Sequence, residues 1–118
     1  MPATYEAFIA AVREINQLAS IESLLDWDSE TFMPPKGLHA RADQLSLIAS
    51  LAHQRRSDPR LGELLAKLEG DPGDPVRAAN VREMRRLHDR AVKIPNDLIR
   101  RIVHTSTLAK SAWAKARA

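Results

Sequence analysis

Proline and glycine occupy few places in this chain, and those places decide what it can fold into. Of 118 residues, seven are proline and four are glycine. Most fall in short groups: Pro34-Pro35 with Gly37, Asp58-Pro59, Gly70 through Pro75, and Pro95. Between the groups lie stretches dominated by Leu, Ala, Arg and Glu, which are strong helix formers. Runs of β-branched residues and apolar–polar alternation, the marks of strands, are missing. The pattern predicts an all-α chain of about five amphipathic helices in an antiparallel array, one helical unit over residues 1–118.

The breakers also place the helix ends. The first helix is expected to start at Thr4 as N-cap, with Glu6 in its first turn. Tyr5, Phe8, Val12, Ile15 and Ala19 mark one apolar face, continued with a slight rotation by Leu18, Ile21, Leu24 and Leu25. It runs to about Glu30, because Pro34 forces the residue before it out of helical geometry. The second helix, about Leu38 to Arg56, buries Leu38, Ala42, Leu45, Ile48, Ala49 and Ala52. Asp58 caps a third helix with Pro59 at its first position, where a missing N–H costs nothing. Leu61, Leu64, Leu65 and Leu68 form its apolar side, and Gly70 is expected as a left-handed stop. Residues 70–74 read as a flexible linker. Asp74-Pro75 repeats the cap-then-proline device and opens a fourth helix to about Lys93, with Val81, Met84, Leu87, Ala91 and Ile94 inward. Pro95 starts the fifth, whose expected buried stripe is Leu98, Ile102, Thr105, Leu108 (or Ala109) and Ala112. No Gly, Pro or Asn closes that helix before Ala118; a natural helix end and a chain cut from a larger protein both fit this pattern.

Composition removes several function classes. There is no cysteine, so disulfides, thiolate metal sites and cysteine nucleophiles are excluded, and a reducing compartment fits. No apolar run approaches the roughly 18 residues of a membrane span, and the N-terminus lacks the basic start and apolar stretch of a signal peptide. A cytoplasmic protein with no membrane partner is expected. The four histidines, His39, His53, His88 and His104, have no second histidine one turn away and no HExxH motif. His39 with Asp43 is the nearest pair, two ligands short of a metal site. All four histidines read as solvated or hydrogen-bonded surface residues. Asp26-Trp27-Asp28-Ser29-Glu30 fails the calcium-loop pattern, with Thr31 and Gly37 where Gly and Glu belong. Acidic groups at a helix C-terminus oppose its dipole, so these carboxylates are expected to pair with basic residues elsewhere. No glycine-rich phosphate loop is present.

Charge is uneven along the chain. Residues 1–59 carry 5 basic and 8 acidic side chains, net −3, and residues 60–118 carry 13 and 7, net +6. A basic half raises nucleic-acid binding as a reading. Against it, acidic partners are interleaved at i,i+4, as in Arg85–Asp89, Asp89–Lys93 and Asp97–Arg101, and stacking aromatics are missing there. A solvated charged face is the expected role, and nucleic acid an unlikely partner.

One stretch is more specific. Leu24-Leu25-Asp26-Trp27-Asp28 through Thr31-Phe32-Met33-Pro34-Pro35-Lys36-Gly37, followed by Arg41-Ala42-Asp43-Gln44-Leu45, resembles the N-terminal region of the carboxypeptidase Taq family. These thermostable zinc carboxypeptidases show LLxWDxxTxMPxxG and then RAxQL. Weaker likenesses extend over the whole chain: His53, Pro59 to Leu65, the Arg-rich fourth helix, Pro95, and Ser111-Ala112-Trp113. The resemblance implies a long all-α fold around a deep groove, with zinc in the full-length enzyme serving removal of C-terminal residues from peptide substrates. It implies that the HExxH zinc site lies beyond position 118. No catalytic or metal-binding residue is therefore carried over to this chain, and no cofactor is expected in it alone. Trp27, Asp28, Thr31, Met33, Pro34, Arg41 and Gln44 match the motif and are expected to act structurally, at the corner between the first two helices. The leading expectation is an N-terminal, non-catalytic fragment of such an enzyme; the alternative is a stand-alone helical interaction module. Faces made for an absent remainder would be exposed, so a homo-oligomer, a dimer first, is expected.

Overall fold

The computed structural model describes residues 2–71 and 73–118. Among these there are five α-helices and no strand: α1 (Pro2–Thr31), α2 (Leu38–Arg56), α3 (Pro59–Glu69), α4 (Pro75–Val92) and α5 (Asn96–Arg117), with a 3-10 turn at Pro35–Gly37 between the first two. The proline chemistry explains most of these bounds. Asp58 accepts a bond from the Arg60 N–H at 2.9 Å, and Asp74 one from the Arg77 N–H at 2.9 Å. Each thus satisfies one of the free donors of a helix start, with proline next in line.

Two details differ from the sequence expectation. Helix α1 already runs from Pro2, so Thr4 lies inside it and does not cap it; proline at a first position needs no donor satisfied. Gly70 ends α3 at φ −74°, in right-handed geometry, and the left-handed glycine is Gly73, at φ +64°. The reversal is made three residues later than expected, just before the Asp74 cap. Of the expected linker at 70–74, Pro72 lies outside the described residues.

Helix α2 is the hub. It packs against α1 and α5 along its length and touches α4, while α3 bridges α1 and α4. The main apolar cluster sits at one end: Phe8 and Ile15 of α1, Leu61, Leu65 and Leu68 of α3, Val81 and Met84 of α4. These are the inward residues that periodicity picks out. Along α2 the buried residues are small, Ala42, Ala49 and Ala52 with Leu45, which lets neighbouring helices approach closely. The molecule measures 55 × 25 × 21 Å with a radius of gyration of 17.4 Å, against about 13.5 Å for a compact domain of this length. It is a slab of helices, and α1, spanning about 45 Å by helical rise, sets its long dimension.

Helix α5 corrects the expected stripe. Leu98 and Ile102 are 42% and 51% exposed, and Thr105 and Ala112 are exposed too, while Leu108 is half-buried. The half-buried side of α5 runs instead through Ile99, Val103 and Thr107, with Leu108 beside it. Polar bonds from α2 set this rotation. Ser46 Oγ donates to the Arg100 carbonyl at 3.2 Å, Asn96 Nδ2 donates to Ser50 Oγ at 2.8 Å, and His104 Nε2 meets Asp43 at 3.1 Å.

His53 and His88 were expected at the surface; both are buried, each 6% exposed. Their ring nitrogens find backbone oxygens that no local pattern announces. His53 Nε2 lies 2.9 Å from the Ala91 carbonyl, with Nδ1 at 3.2 Å from Asn96 Oδ1. His88 Nδ1 lies 2.6 Å from the Arg56 carbonyl. Buried polar groups satisfied this way cost little.

The His88 ring makes Gly62 a tight point. A Cβ at Gly62 would stand 2.9 Å from His88 Nε2, and the ring is pinned by its bond to Arg56. At Gly70 a Cβ would meet nothing nearer than the Lys67 carbonyl at 3.5 Å. Gly62→Ala is therefore expected to lower stability by about 1–3 kcal/mol by overpacking, despite the better helix propensity of alanine. Gly70→Ala is expected to hold or raise it, by up to about 1 kcal/mol. Thermal unfolding of the two variants checks the opposite signs.

Candidate functional site

The corner between α1 and α2 gathers most of the motif residues. Helix α1 ends in carbonyls without intrahelical partners and in a run of carboxylates, an arrangement its own dipole disfavours. Arg41, on the first turn of α2, answers both. One guanidinium nitrogen donates to the Leu25 carbonyl at 2.8 Å and to Ser29 Oγ at 3.2 Å; the other donates to Asp28 at 2.8 Å. Its Nε donates to Gln44 Oε1 at 3.0 Å. The Arg41 side chain is only 15% exposed and that of Asp28 33%, so the pair is held largely out of water. Arginine suits this place because its planar fork meets several acceptors at once.

The other motif residues serve the turn. The Asp28 carbonyl accepts from the N–H of both Phe32 and Met33 at 3.0 Å, closing α1. Thr31 Oγ1 donates to the Trp27 carbonyl at 2.9 Å. Pro34 is extended at φ −64°, ψ 147° and turns the chain into the 3-10 segment. Gly37 follows, where a Cβ would sit 3.4 Å from Met33 Cγ. The Trp27 ring stands apart: it is 53% exposed and meets the Phe32 ring edge-on at 5.6 Å between centroids. Asp28, Arg41 and Gln44 are thus joined by side-chain bonds, and Thr31, Met33 and Pro34 shape the turn beside them.

Glu22, Asp26 and Glu30 of α1 face a groove between α1 and α5. Asp26 pairs with Lys110 at 3.3 Å; with Asp28 on Arg41, two of the cluster's three carboxylates meet distant basic residues as expected. Two adjoining hollows of about 380 and 540 Å³ line up there, bordered by Glu22, Asp26 and Glu30 on one side and Thr107 and Lys110 on the other. Burial pushes the Glu22 carboxyl above the ordinary glutamate range, with Arg56 opposing and Asp26 adding to the rise.

The basic face of α4 is threaded with acids. Arg85 bonds Glu69 at 2.7 Å and Asp89 at 3.2 Å, Arg86 bonds Glu83 at 2.6 Å, and Arg77 lies 3.5 Å from Asp74 and over the Tyr5 ring. The expected Arg85–Asp89 pair forms, and the Glu69 contact, across helices, adds to it. Asp43, paired with His39 in the sequence reading, meets His104 of α5. Ser46, Ser50 and His53 were missed as a group. Their 4-3 spacing on α2 is a second inward stripe, masked by polar residue types.

The residues present do not make a metal centre. No group of three or more His, Asp or Glu is placed to hold a metal ion among the described residues, and both nitrogens of His53 already face protein oxygens. No helix among them is long and apolar enough to cross a membrane.

The sequence matches the carboxypeptidase Taq (M32) metallopeptidase family model over residues 7–118. Over 98% of the chain it is 42% identical to thermostable carboxypeptidase 1 of Thermus thermophilus, and 28% identical to thermostable carboxypeptidase 1 of Pyrococcus furiosus. The crystal structure of BsuCP superposes with a TM-score of 0.91 over 97% of the chain at 22% identity, which establishes the shared fold. The chain belongs to the carboxypeptidase Taq (M32) metallopeptidase family. It spans 23% of the length of each of these relatives.

Two outcomes follow from the geometry. Arg41→Ala is expected to cost about 2–3 kcal/mol, since it strands a largely shielded carboxylate and a helix-end carbonyl. Arg41→Lys should recover only part, because an ammonium cannot fork; chemical denaturation of both variants measures this. Glu22 gives a pH signature. Its folded carboxyl holds a proton at higher pH than the unfolded one, so it subtracts stability as pH rises from the ordinary glutamate range through its folded value. Glu22→Gln should match the wild type in acid and exceed it above that window, as read by melting temperatures across pH.

Proposed function

We propose that this chain is the N-terminal helical part of a zinc-dependent metallocarboxypeptidase that removes C-terminal residues from peptides, and that alone it is non-catalytic. The observation that carries this reading is the mismatch between family and donor set. The chain belongs to a metallopeptidase family, yet His53, His88 and Asp28 are taken up by structural bonds, and among the described residues no three histidines or carboxylates are placed to hold a metal. A metal-activated water needs three protein ligands and an open position. Those ligands would come from the part of the enzyme that this 23% does not contain.

In this reading the work of these residues is to build a wall. Arg41 fixes the angle between α1 and α2 through Asp28 and the Leu25 carbonyl. The hydrogen bonds of Ser46, Ser50 and Asp43 fix the rotation of α5 on α2. Zinc, when bound in the whole enzyme, would supply an activated water and polarise the scissile carbonyl; this chain would contribute shape and rigidity beside it.

The test is a peptidase assay on the purified 118-residue chain with zinc supplied. No release of C-terminal residues above the uncatalysed background is expected. Zinc-dependent, chelator-sensitive release would sink the claim that the chain is inactive alone.

A further inference from the structure

Helix α5 is fastened to the rest of the chain on one side. Each of α1 to α4 contributes buried side chains, among them Phe8, Leu45, Leu65 and Met84, whereas α5 has none. Among the described residues, its only close packing against another helix is with α2. Toward α1 it leaves the two hollows of about 380 and 540 Å³ where a packed seam would otherwise lie, and the Lys110–Asp26 pair crosses that gap.

The α2 side of the seam is built from small residues. Ser46 and Ser50 meet α5 by hydrogen bonds, and Ala42 and Ala49 stand one turn to either side of Ser46 on the same face. Such groups let two helices lie close, but they hide little apolar area, and burial stabilises in proportion to area. From α5, Ile99 and Val103 reach only half-burial. Toward the outer end, His104–Asp43 and Lys110–Asp26 join side chains that are open to water, and water replaces such pairs at small cost. The cluster of Phe8, Leu61, Leu65, Val81 and Met84, by contrast, lies wholly within α1, α3 and α4.

The inner end of α5 is held differently. Buried His53 faces the Ala91 carbonyl at the end of α4 with Nε2, and the Asn96 side chain at the start of α5 with Nδ1. Asn96 also donates to Ser50. Both sides of the joint at Lys93, Ile94 and Pro95 are thus tied to α2, while Trp113, near the outer end, is 62% exposed. We propose that α5 is a flap, which swings off α2 about the joint held by His53 and widens the α1–α5 groove while α1 to α4 stay folded. Openings short of global unfolding are drawn from the parts of a fold with the fewest buried apolar contacts.

The chain has no cysteine, so single reporter thiols test this directly. Ser46→Cys places a thiol of nearly the same size in the seam under α5, and Val81→Cys places one in the main cluster, each at a position 5% exposed. Maleimide labelling, scaled to the rate of each thiol in denaturant, should be about tenfold or more faster for Ser46→Cys. Its rate should also rise less steeply with added denaturant, because a swinging helix exposes less surface than unfolding does. Adding Val103→Ala, which trims the α5 side of the seam, should speed Ser46→Cys labelling about three- to tenfold and leave Val81→Cys labelling unchanged. Equal scaled rates with equal denaturant slopes overturn the proposal, since α5 then leaves only when the whole chain unfolds. An equal effect of Val103→Ala on both thiols overturns it for the same reason. Labelling of Ser46→Cys at the full denatured rate also overturns it, because the flap then has no closed position. The unfolding free energy of the Ser46→Cys chain, from chemical denaturation, supplies the global reference in place of Val81→Cys if that variant does not fold.

Discussion

One guanidinium determines how this wall of helices is joined. Helix α1 is 30 residues long and ends in carboxylates set against its own dipole. Left alone, that end would fray or repel. Arg41 holds it through a carbonyl, a hydroxyl and a carboxylate at once. Because Arg41 sits in the first turn of α2, the same bonds that quiet the end of α1 also set where α2 begins its antiparallel return. At the far end of this helix pair, Arg55 meets Glu14. Everything that packs on α2 then inherits its position.

Helix α2 passes that order on in two directions. Its small residues, Ala42, Ala49 and Ala52, are buried and keep its neighbours close. Its polar stripe, Ser46, Ser50 and His53, meets α5 and the end of α4 through hydrogen bonds. Apolar packing tolerates small rotations of a helix, whereas hydrogen bonds to fixed acceptors do not. The rotation of α5 is therefore set by polar contacts, and its apolar residues are divided between a covered side and an open one. The elongated shape follows: the large side chains cluster where α1, α3 and α4 meet, and the α5 end is a thin layer.

How far the sequence could be read depends on how local each cause is. Helix ends were legible because a proline and the aspartate before it act within a few residues, as Asp58 and Asp74 do. The inward residues of α3, α4 and the first half of α1 were legible because a single face decides them, but Ile21 and Leu24, expected to continue the α1 face, are 43% and 62% exposed. The rotation of α5 was not, since its determinants lie about fifty residues away on α2. The burial of His53 and His88 was hidden for the same reason: their partners are backbone carbonyls 38 and 32 residues distant, and a carbonyl leaves no trace in residue identity. At the candidate site, the residues of the corner were visible as a motif, but the bonds between them were not. Arg41 and Asp28 are 13 positions apart, on no common helix face.

The proposed division of labour, in which these helices build structure and the metal ligands lie elsewhere in the enzyme, is open to direct measurement. Equilibrium dialysis of the purified chain against zinc, followed by elemental analysis, measures that most directly. Far less than one zinc per chain is expected, with no change in melting temperature on adding the metal. One tightly held zinc per chain, with a melting temperature that rises as zinc is added, would contradict it.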